Sequence, residues 1–402
     1  MNPADLTEKA QSYLKTLCSV KPNRRTGSAG NRAATAFFAD TLCSLGYKVD
    51  VTPFDCLDYR RGVSSLGHAG IAFEVHSSPY SPGCDLSSEL VAVSTLEELA
   101  STRCQGQILL MQGEICAEQL MPKNFAFYNP EHHQKIITLL EAQAPAVLIT
   151  ATAENPDQVG ALYPYPLIVD GDFDIPSLYC RDTVGEVLSR MTGETFHLKI
   201  DGERIPSVAN NVITTLNPQA EQKVVLTAHI DAYEDTPGAS DNASGTVVLL
   251  LVAEMLSDYQ GGIGIEFAAL NGEDHYSAAG QLDYLKRYGD GLERILLAVN
   301  IDDVGYQQGG TAYSYYECPL QLEQSIQQVF SGFSAFTPGD PWFNGDHMIF
   351  VQKGIPALAF TSENMPELMR TVTHTALDTP DILDPDKLVE VAASLNALLR
   401  SL

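Results

Sequence analysis

Residues 223–256 read KVVLTAHIDAYEDTPGASDNASGTVVLLLVAEML, and their pattern decides the fold. The run KVVLTAHI, 223–230, is apolar almost throughout, rich in β-branched residues and of strand length. NASGTVVLLLVAEMLSDY, 242–259, has the length of a helix. Between them lies a Pro-Gly turn bearing Glu234 and Asp235, with His229, Asp231 and Asp241 beside it. A strand that is apolar on both faces belongs in a parallel sheet with helices above and below, because only such a sheet is covered on both sides. Negative charge between two buried segments needs either solvent or a cation.

Outward from that stretch the alternation continues. GIGIEFAAL (262–270) reads as a strand and SAAGQLDYLKRYG (277–289) as a helix. RILLAVNID (294–302) is a strand, LQLEQSIQQVF (320–330) a helix, and PALAFTS (356–362) a strand. A closing helix covers 384–402, with Asp384 placed to cap it and Pro385 at its first position. Toward the N-terminus, PADLTEKAQSYLKTL and GNRAATAFFADTLCSLGY are helical, and KVDVTPF alternates as a strand. From about Asp58 to Asp201 strand-like pieces sit among Gly, Pro and Ser, with one helix starting at Pro130. The expected fold is α/β: a mixed, mostly parallel central sheet with helices on both faces, plus an inserted β-rich domain. The expected organisation is 1–57 and 205–402 for the main domain and 58–204 for the insert. No internal repeat or low-complexity tract interrupts it.

Composition narrows the partners. Acidic residues outnumber basic ones 51 to 24, giving a net charge of -27. Such a surface repels nucleic-acid phosphates and anionic lipid, so neither is an expected partner. MNPADLTEKAQSYLKTL has no apolar core of a secretory leader, and no run approaches the ~20 residues of a membrane span. A cytoplasmic location is the expectation, and the eight scattered cysteines, with no C-x-x-C pair, read as reduced thiols.

In open α/β sheets ligands bind beyond the carboxyl ends of the strands. Here those ends carry chemistry. After VVLTA come His229 and Asp231, then Asp241 beyond the turn. After IEFAAL come Glu273 and Asp274. After LLAVNI come Asp302 and Asp303. After ALAFTSE come His374 and Asp378. Imidazole nitrogen and carboxylate oxygen suit zinc, and a carboxylate that bridges two ions lets them clamp a water and a substrate oxygen. Glu273 and Asp274 are adjacent and point different ways, so one can bind metal while the other serves as base. Asp231 stands two residues after His229, where an orienting carboxylate would stand. Any single acidic loop in an acidic chain is more often solvated; the reading rests on four strand ends in order. On chemistry alone His229, Asp241 and His374 lead, and Asp302 against Asp303 stays open. His132 and His133 lack carboxylates in register and read as surface, as does His275. Glu234 and Asp235 read as solvated. H-E-x-x-H, G-x-S-x-G and the nucleotide-binding glycine motifs are missing from the sequence.

AHID with PGASDNASG, then LNGED, NIDDVG and HTALDTPD, resemble the zinc aminopeptidases of metallopeptidase family 28 over residues 205–402. The front, RTGSAGNRAATAFFADTLCSLGYKV, is similar to that family's first helix and strand, and the middle segment to a protease-associated insert. The resemblance implies a phosphorylase/hydrolase-like zinc peptidase fold with two zinc ions. Asp241 would bridge them, His229 and Asp302 would complete one site, and Asp274 and His374 the other. Glu273 would be the general base, and Asp231 would support His229. Asp346 and His347, in NGDHMIFVQKGIPA, would line the site. The implied activity is a zinc-dependent exopeptidase acting on peptide substrates, foremost an aminopeptidase. Carboxypeptidase or dipeptidase action, glutaminyl cyclase-type acyl transfer and an inactive binding module are the alternatives; the complete ligand set and base speak against the last two. Two departures stand out. Asp274 occupies a position that is usually Glu in the family, and HYSAAG follows it where a GLLGS-like run is common.

Overall fold

The computed structural model describes residues 3–155 and 161–402. Its backbone falls into two compact units, Met1–Cys56 with Ser207–Leu402, and Leu57–Pro206.

The first unit is built on an eight-stranded sheet. Its strands are β1 (Val49–Asp50), β2 (Val212–Leu216), β3 (Lys223–His229), β4 (Gly264–Leu270), β5 (Ile295–Ile301), β6 (Thr311–Tyr316), β7 (Phe336–Pro338) and β8 (Ala357–Ser362), in the order β1-β2-β4-β3-β5-β8-β6-β7. The central four, β4-β3-β5-β8, are mutually parallel. The sheet is mixed because β2 runs antiparallel to β4, and β6 to β8. Every residue of β3 and β4 is buried, which is why neither strand alternates in sequence.

Helices cover both faces. On one, α1 (Pro3–Cys18), α2 (Ala29–Ser44), α3 (Gly245–Met255) and α7 (Pro385–Ser401) share a single core with the sheet, through Leu14, Phe38, Leu249 and Leu395 against Leu226, Phe267 and Val299. α3 is buried from Gly245 to Glu254, so its sequence is apolar all round rather than striped. Glu266 points to the other face from Ile265 and Phe267. There α4 (Ala279–Tyr288) packs, with the Tyr284 hydroxyl donating to Glu266 at 2.6 Å and its ring against Phe350. This unit also carries α5 (Leu320–Phe330) and the seven-residue α6 (Met365–Thr371), which precedes His374. Asp384 caps α7 by accepting from the Asp386 amide, as its position in the sequence implies.

The start of α3 differs from the sequence expectation. Residues Ala239–Ser244 form an irregular turn, and the regular helix begins at Gly245. A Cβ at Gly245 would sit 2.2 Å from the Ile301 carbonyl oxygen. The bare glycine lets the helix rest directly on the end of β5.

The second unit carries its own sheet, in which Cys84–Val93, Ile108–Met111, Val147–Thr152 and Ser177–Arg181 pair in parallel. Among its described residues it holds three α-helices where the sequence suggested one: Leu96–Ser101 and Asp182–Ser189 join Glu131–Gln143. The two additions are six and eight residues long, too short to show a helical period convincingly. Two apolar clusters, around Leu109 and Leu148 and around Leu110 and Ile149, follow from strands covered on both faces. Among the described residues no helix is long and apolar enough to cross a membrane.

Candidate metal centre

Strand register brings the sequence-distant residues together. His229 lies opposite Leu270, and Thr227 opposite Asn300. Two residues further along, Asp302 is level with His229, while Glu273 and Asp274 follow three and four residues after Leu270. The His229 Nε2 atom lies 3.1 Å from Asp241 Oδ1 and 3.3 Å from Asp302 Oδ1. The His374 Nε2 atom lies 3.0 Å from Asp241 Oδ2 and 3.0 Å from Asp274 Oδ1. The two oxygens of Asp241 therefore face two different sets, each made of one imidazole and one further carboxylate.

Most of these groups are buried, and several of their atoms lack an aligned hydrogen bond. His229 Nε2, Asp274 Oδ2 and Asp302 Oδ1 have no aligned partner, although buried polar groups normally find one. Donor atoms around a tetrahedral ion at ~2.0–2.1 Å stand ~3.3 Å apart. The 3.0–3.3 Å separations here are those of a cation's coordination edges, so the residues fit a metal. His229, Asp241 and Asp274 also bring one donor atom each within 4.8 Å of one another.

The electrostatics follow from crowding carboxylates out of water. Burial alone would lower the pKa of His229, but Asp302, Asp231 and Asp241 outweigh it and hold it well above the ordinary value. His374 is raised in the same way, burial being overcome by Asp274 and Asp241. Burial opposes ionisation of Asp241, yet its bonds to His229 and His374 hold its pKa well below the usual range. Asp274 and Asp302 are raised, by burial first and the Asp241 charge among the further causes. Glu273 is raised well above a normal carboxylate, by burial and by Asp274, Asp302 and Asp346. A divalent cation would reverse the balance on the imidazoles by displacing their protons.

Supporting contacts come from all around the loop. Asp231 is fully buried; its Oδ2 accepts from Thr26 Oγ1 at 2.8 Å and from the Asp274 amide at 3.2 Å, and its Oδ1 lies 3.6 Å from His229 Nδ1. The bond from the Asp274 amide anchors the backbone of this residue, and its short side chain still reaches His374 at 3.0 Å. Tyr233 stacks on the His374 ring at 4.6 Å. Asp378 carries a job that sequence reading left unassigned. Its carboxylate accepts from the Ser240 and Asp241 amides at 2.7 and 3.1 Å, holding the turn that presents Asp241. Its four-residue spacing from His374 was the available signal.

The other candidates fall as follows. Asp302 is the member of its pair that reaches His229, while Asp303 is buried beside it with its pKa raised by burial first and then by the charges of Asp241, Asp302 and Asp378. Asp346 is buried, accepts from Gln281 at 2.8 Å, and is pushed by burial up to about 7. His347 is buried, donates Nε2–H to the Trp342 carbonyl at 2.9 Å, and burial lowers it to about 4.

Three surface expectations are corrected. Glu234 is folded into an ion pair with Arg25 at 2.8 Å, both side chains about nine-tenths buried, because the turn folds back over the N-terminal segment. His275 is 3% exposed and meets the Ser277 hydroxyl at 2.9 Å. His133 is buried, and a carboxylate does reach the pair: Glu118 Oε1 is 2.7 Å from His132 and 3.0 Å from His133. Glu118 comes from a separate loop, invisible to helix register. That cluster does not suit a metal. The Met121 amide donates to His133 Nδ1 at 3.1 Å, so the proton sits on Nε2 and points at Glu118. A cavity of about 390 Å³ opens at the opposite ends of β3 and β4, but its cations are spent: Lys223 on Glu266, Arg287 on Asp283, and Arg294 on backbone carbonyls.

Residues 211–399 match peptidase family M28. The chain carries a peptidase family M28 domain. It is 27% identical over 403 residues to aminopeptidase YwaD of Bacillus subtilis, covering 96% of this chain and 83% of that protein. It is 24% identical over 286 residues to the probable lipoprotein aminopeptidase LpqL of Mycobacterium tuberculosis, covering 69% of this chain but only 54% of that protein. The chain thus spans about half the length of that relative, and about a third of the fungal leucine aminopeptidases it also matches. The fold matches BSAP, described as a zinc aminopeptidase from Bacillus subtilis, with a TM-score of 0.73 at 20% identity, covering 98% and 94% of the two chains.

Proposed function

We propose that this M28 domain is a zinc-dependent aminopeptidase with two metal positions. The observation that carries the reading is Asp241, whose two oxygens each face an imidazole within 3.1 Å. His229 and Asp302 would hold one zinc with Asp241, and Asp274 and His374 the other. Bound zinc would supply Lewis acidity toward the scissile carbonyl and toward water. The aminopeptidase names of YwaD and BSAP support the choice of terminus and, for BSAP, of metal.

Within that reading the chain's own groups have defined work. Glu273 stands beside Asp274 with its pKa raised by burial and neighbouring acids. It would take a proton from the attacking water at its carboxylate and return it to the leaving amine. Asp231 would keep the proton of His229 on Nδ1, leaving the Nε2 lone pair directed at the Asp241 side. Asp378 would keep the Asp241 carboxylate aimed between the two imidazoles. Asp346 and His347 would border the substrate.

The test combines metal analysis with a substrate panel of aminoacyl anilides, dipeptides and N-blocked peptides. The expected result is two zinc per chain, cleavage confined to free-amine substrates, and loss of about 10²–10⁴-fold in kcat for Glu273→Gln. Cleavage of N-blocked substrates alone would refute the aminopeptidase assignment, and unchanged activity in Glu273→Gln would refute the base.

A further inference from the structure

The segment Arg24–Asn31 contributes no group that faces the two imidazoles, yet nearly all of its polar side chains are spent on the loops that do. The Arg24 side chain is buried. Its Nε donates to the Ile230 carbonyl at 3.1 Å, its Nη1 to Pro237 at 2.6 Å and its Nη2 to Gly238 at 2.6 Å. Those carbonyls are the two ends of the loop separating His229 from Asp241. Arg25 pairs with Glu234 in the middle of the same loop. Asn31 donates to Asn271 Oδ1 at 2.6 Å, just before Gly272, Glu273 and Asp274. Between these contacts Thr26, fully buried, donates its hydroxyl to Asp231 Oδ2 at 2.8 Å.

We propose that Arg24–Asn31 is a brace for the metal centre, and that Thr26 is its positioning residue. This rests on the two-metal reading above. The physical reason lies in how Asp231 is shared. Its Oδ2 takes the Thr26 hydroxyl and the Asp274 amide together, which fixes the rotation of the carboxylate and leaves Oδ1 toward His229 Nδ1. One hydroxyl thereby constrains an imidazole on one side of Asp241 and the backbone of Asp274 on the other. Without it the carboxylate can turn about its Cβ–Cγ bond, the ring loses its fixed tautomer, and the Asp274 backbone loses its anchor. Groups that orient metal ligands in this way change metal affinity about 10–100-fold when removed. A contact that merely stabilised the fold would change the melting temperature and leave metal affinity alone.

The experiment uses the full chain stripped of metal. Zinc affinity is measured by competition with a chromophoric chelator, and the melting midpoint of the metal-free protein is measured beside it. Thr26→Val keeps the branched shape and removes the donor, whereas Thr26→Ser keeps the donor. The expected result is zinc affinity about 10–100-fold weaker in Thr26→Val, with Thr26→Ser close to wild type. If Thr26→Val does not fold, Thr26→Ala removes the hydroxyl without pressing a methyl on the carboxylate, and the same criterion applies. Unchanged zinc affinity in the variant lacking the donor, with wild type binding zinc, overturns the brace and leaves the function standing. Failure of wild type to bind zinc overturns the metal reading itself.

Discussion

Replacing Gly245 with alanine tests whether the site depends on the close approach of α3 to β5. The added Cβ would lie 2.2 Å from the Ile301 carbonyl oxygen, 2.5 Å from Asn242 Oδ1 and 3.0 Å from the Ala228 side chain. The nearest of these is backbone, so no side-chain rotation relieves it. Bringing the contact to even 3.0 Å requires the helix start or the strand end to retreat by about 0.8 Å. Both lead into the site: Asp302 follows Ile301, and Asp241 lies four residues before Gly245. Overpacking of a filled core costs about 1–3 kcal/mol, and the backbone contact puts this case near about 3 kcal/mol. For a unit of this size that lowers the melting temperature by roughly 6–12 °C. A displacement approaching 1 Å at the reacting groups costs about 100-fold in rate. Gly289→Ala is the control. Its φ of −59° and ψ of −30° suit alanine and nothing lies within 4 Å of the new Cβ, so it should stabilise by about 0.4–1 kcal/mol. Thermal melts and kcat/KM for both variants decide the matter. A Gly245→Ala protein with wild-type stability and activity would refute the argument that this contact sets ligand spacing.

Two further outcomes follow from the site. Asp241→Ala should abolish tight binding of both zinc ions, whereas Asp302→Ala and Asp274→Ala should each lose one; metal analysis after dialysis reads the difference, and equal mild losses would contradict a shared carboxylate. His347 gives a pH dependence. Burial holds it near 4 in the fold against an ordinary 6.5, so the unfolded chain takes up a proton between those values and the folded chain does not. Stability from this group is complete above about pH 6.5 and is lost as pH falls toward 4, a total of roughly 3 kcal/mol. Urea unfolding of wild type and His347→Gln from pH 7 to 4.5 should show the flatter acid limb in the variant.

Much of this was legible in the chain because it is local. β3, β4, β5 and β8 announce themselves as uninterrupted apolar runs, and the residues after each are the ones that meet. What stayed hidden depends on partners far away in sequence. Glu234 looks like a solvated acid until Arg25, more than two hundred residues earlier, folds onto it. His133 looks exposed on its helix until Glu118 arrives from another loop. The choice between Asp302 and Asp303 needed the sheet register, since adjacent carboxylates differ only in the direction the backbone gives them.

By itself, then, the sequence determined the layering of sheet and helices, since burial on both faces requires unbroken apolar strands, and it set the order in which acids and imidazoles reach one edge. Tertiary structure alone decided which oxygen faces which nitrogen. It also decided that an N-terminal arginine and threonine hold the loop between them, and that a glycine sets how near α3 comes to β5. Those depend on ångström-scale positions of groups remote in sequence, which no local pattern encodes.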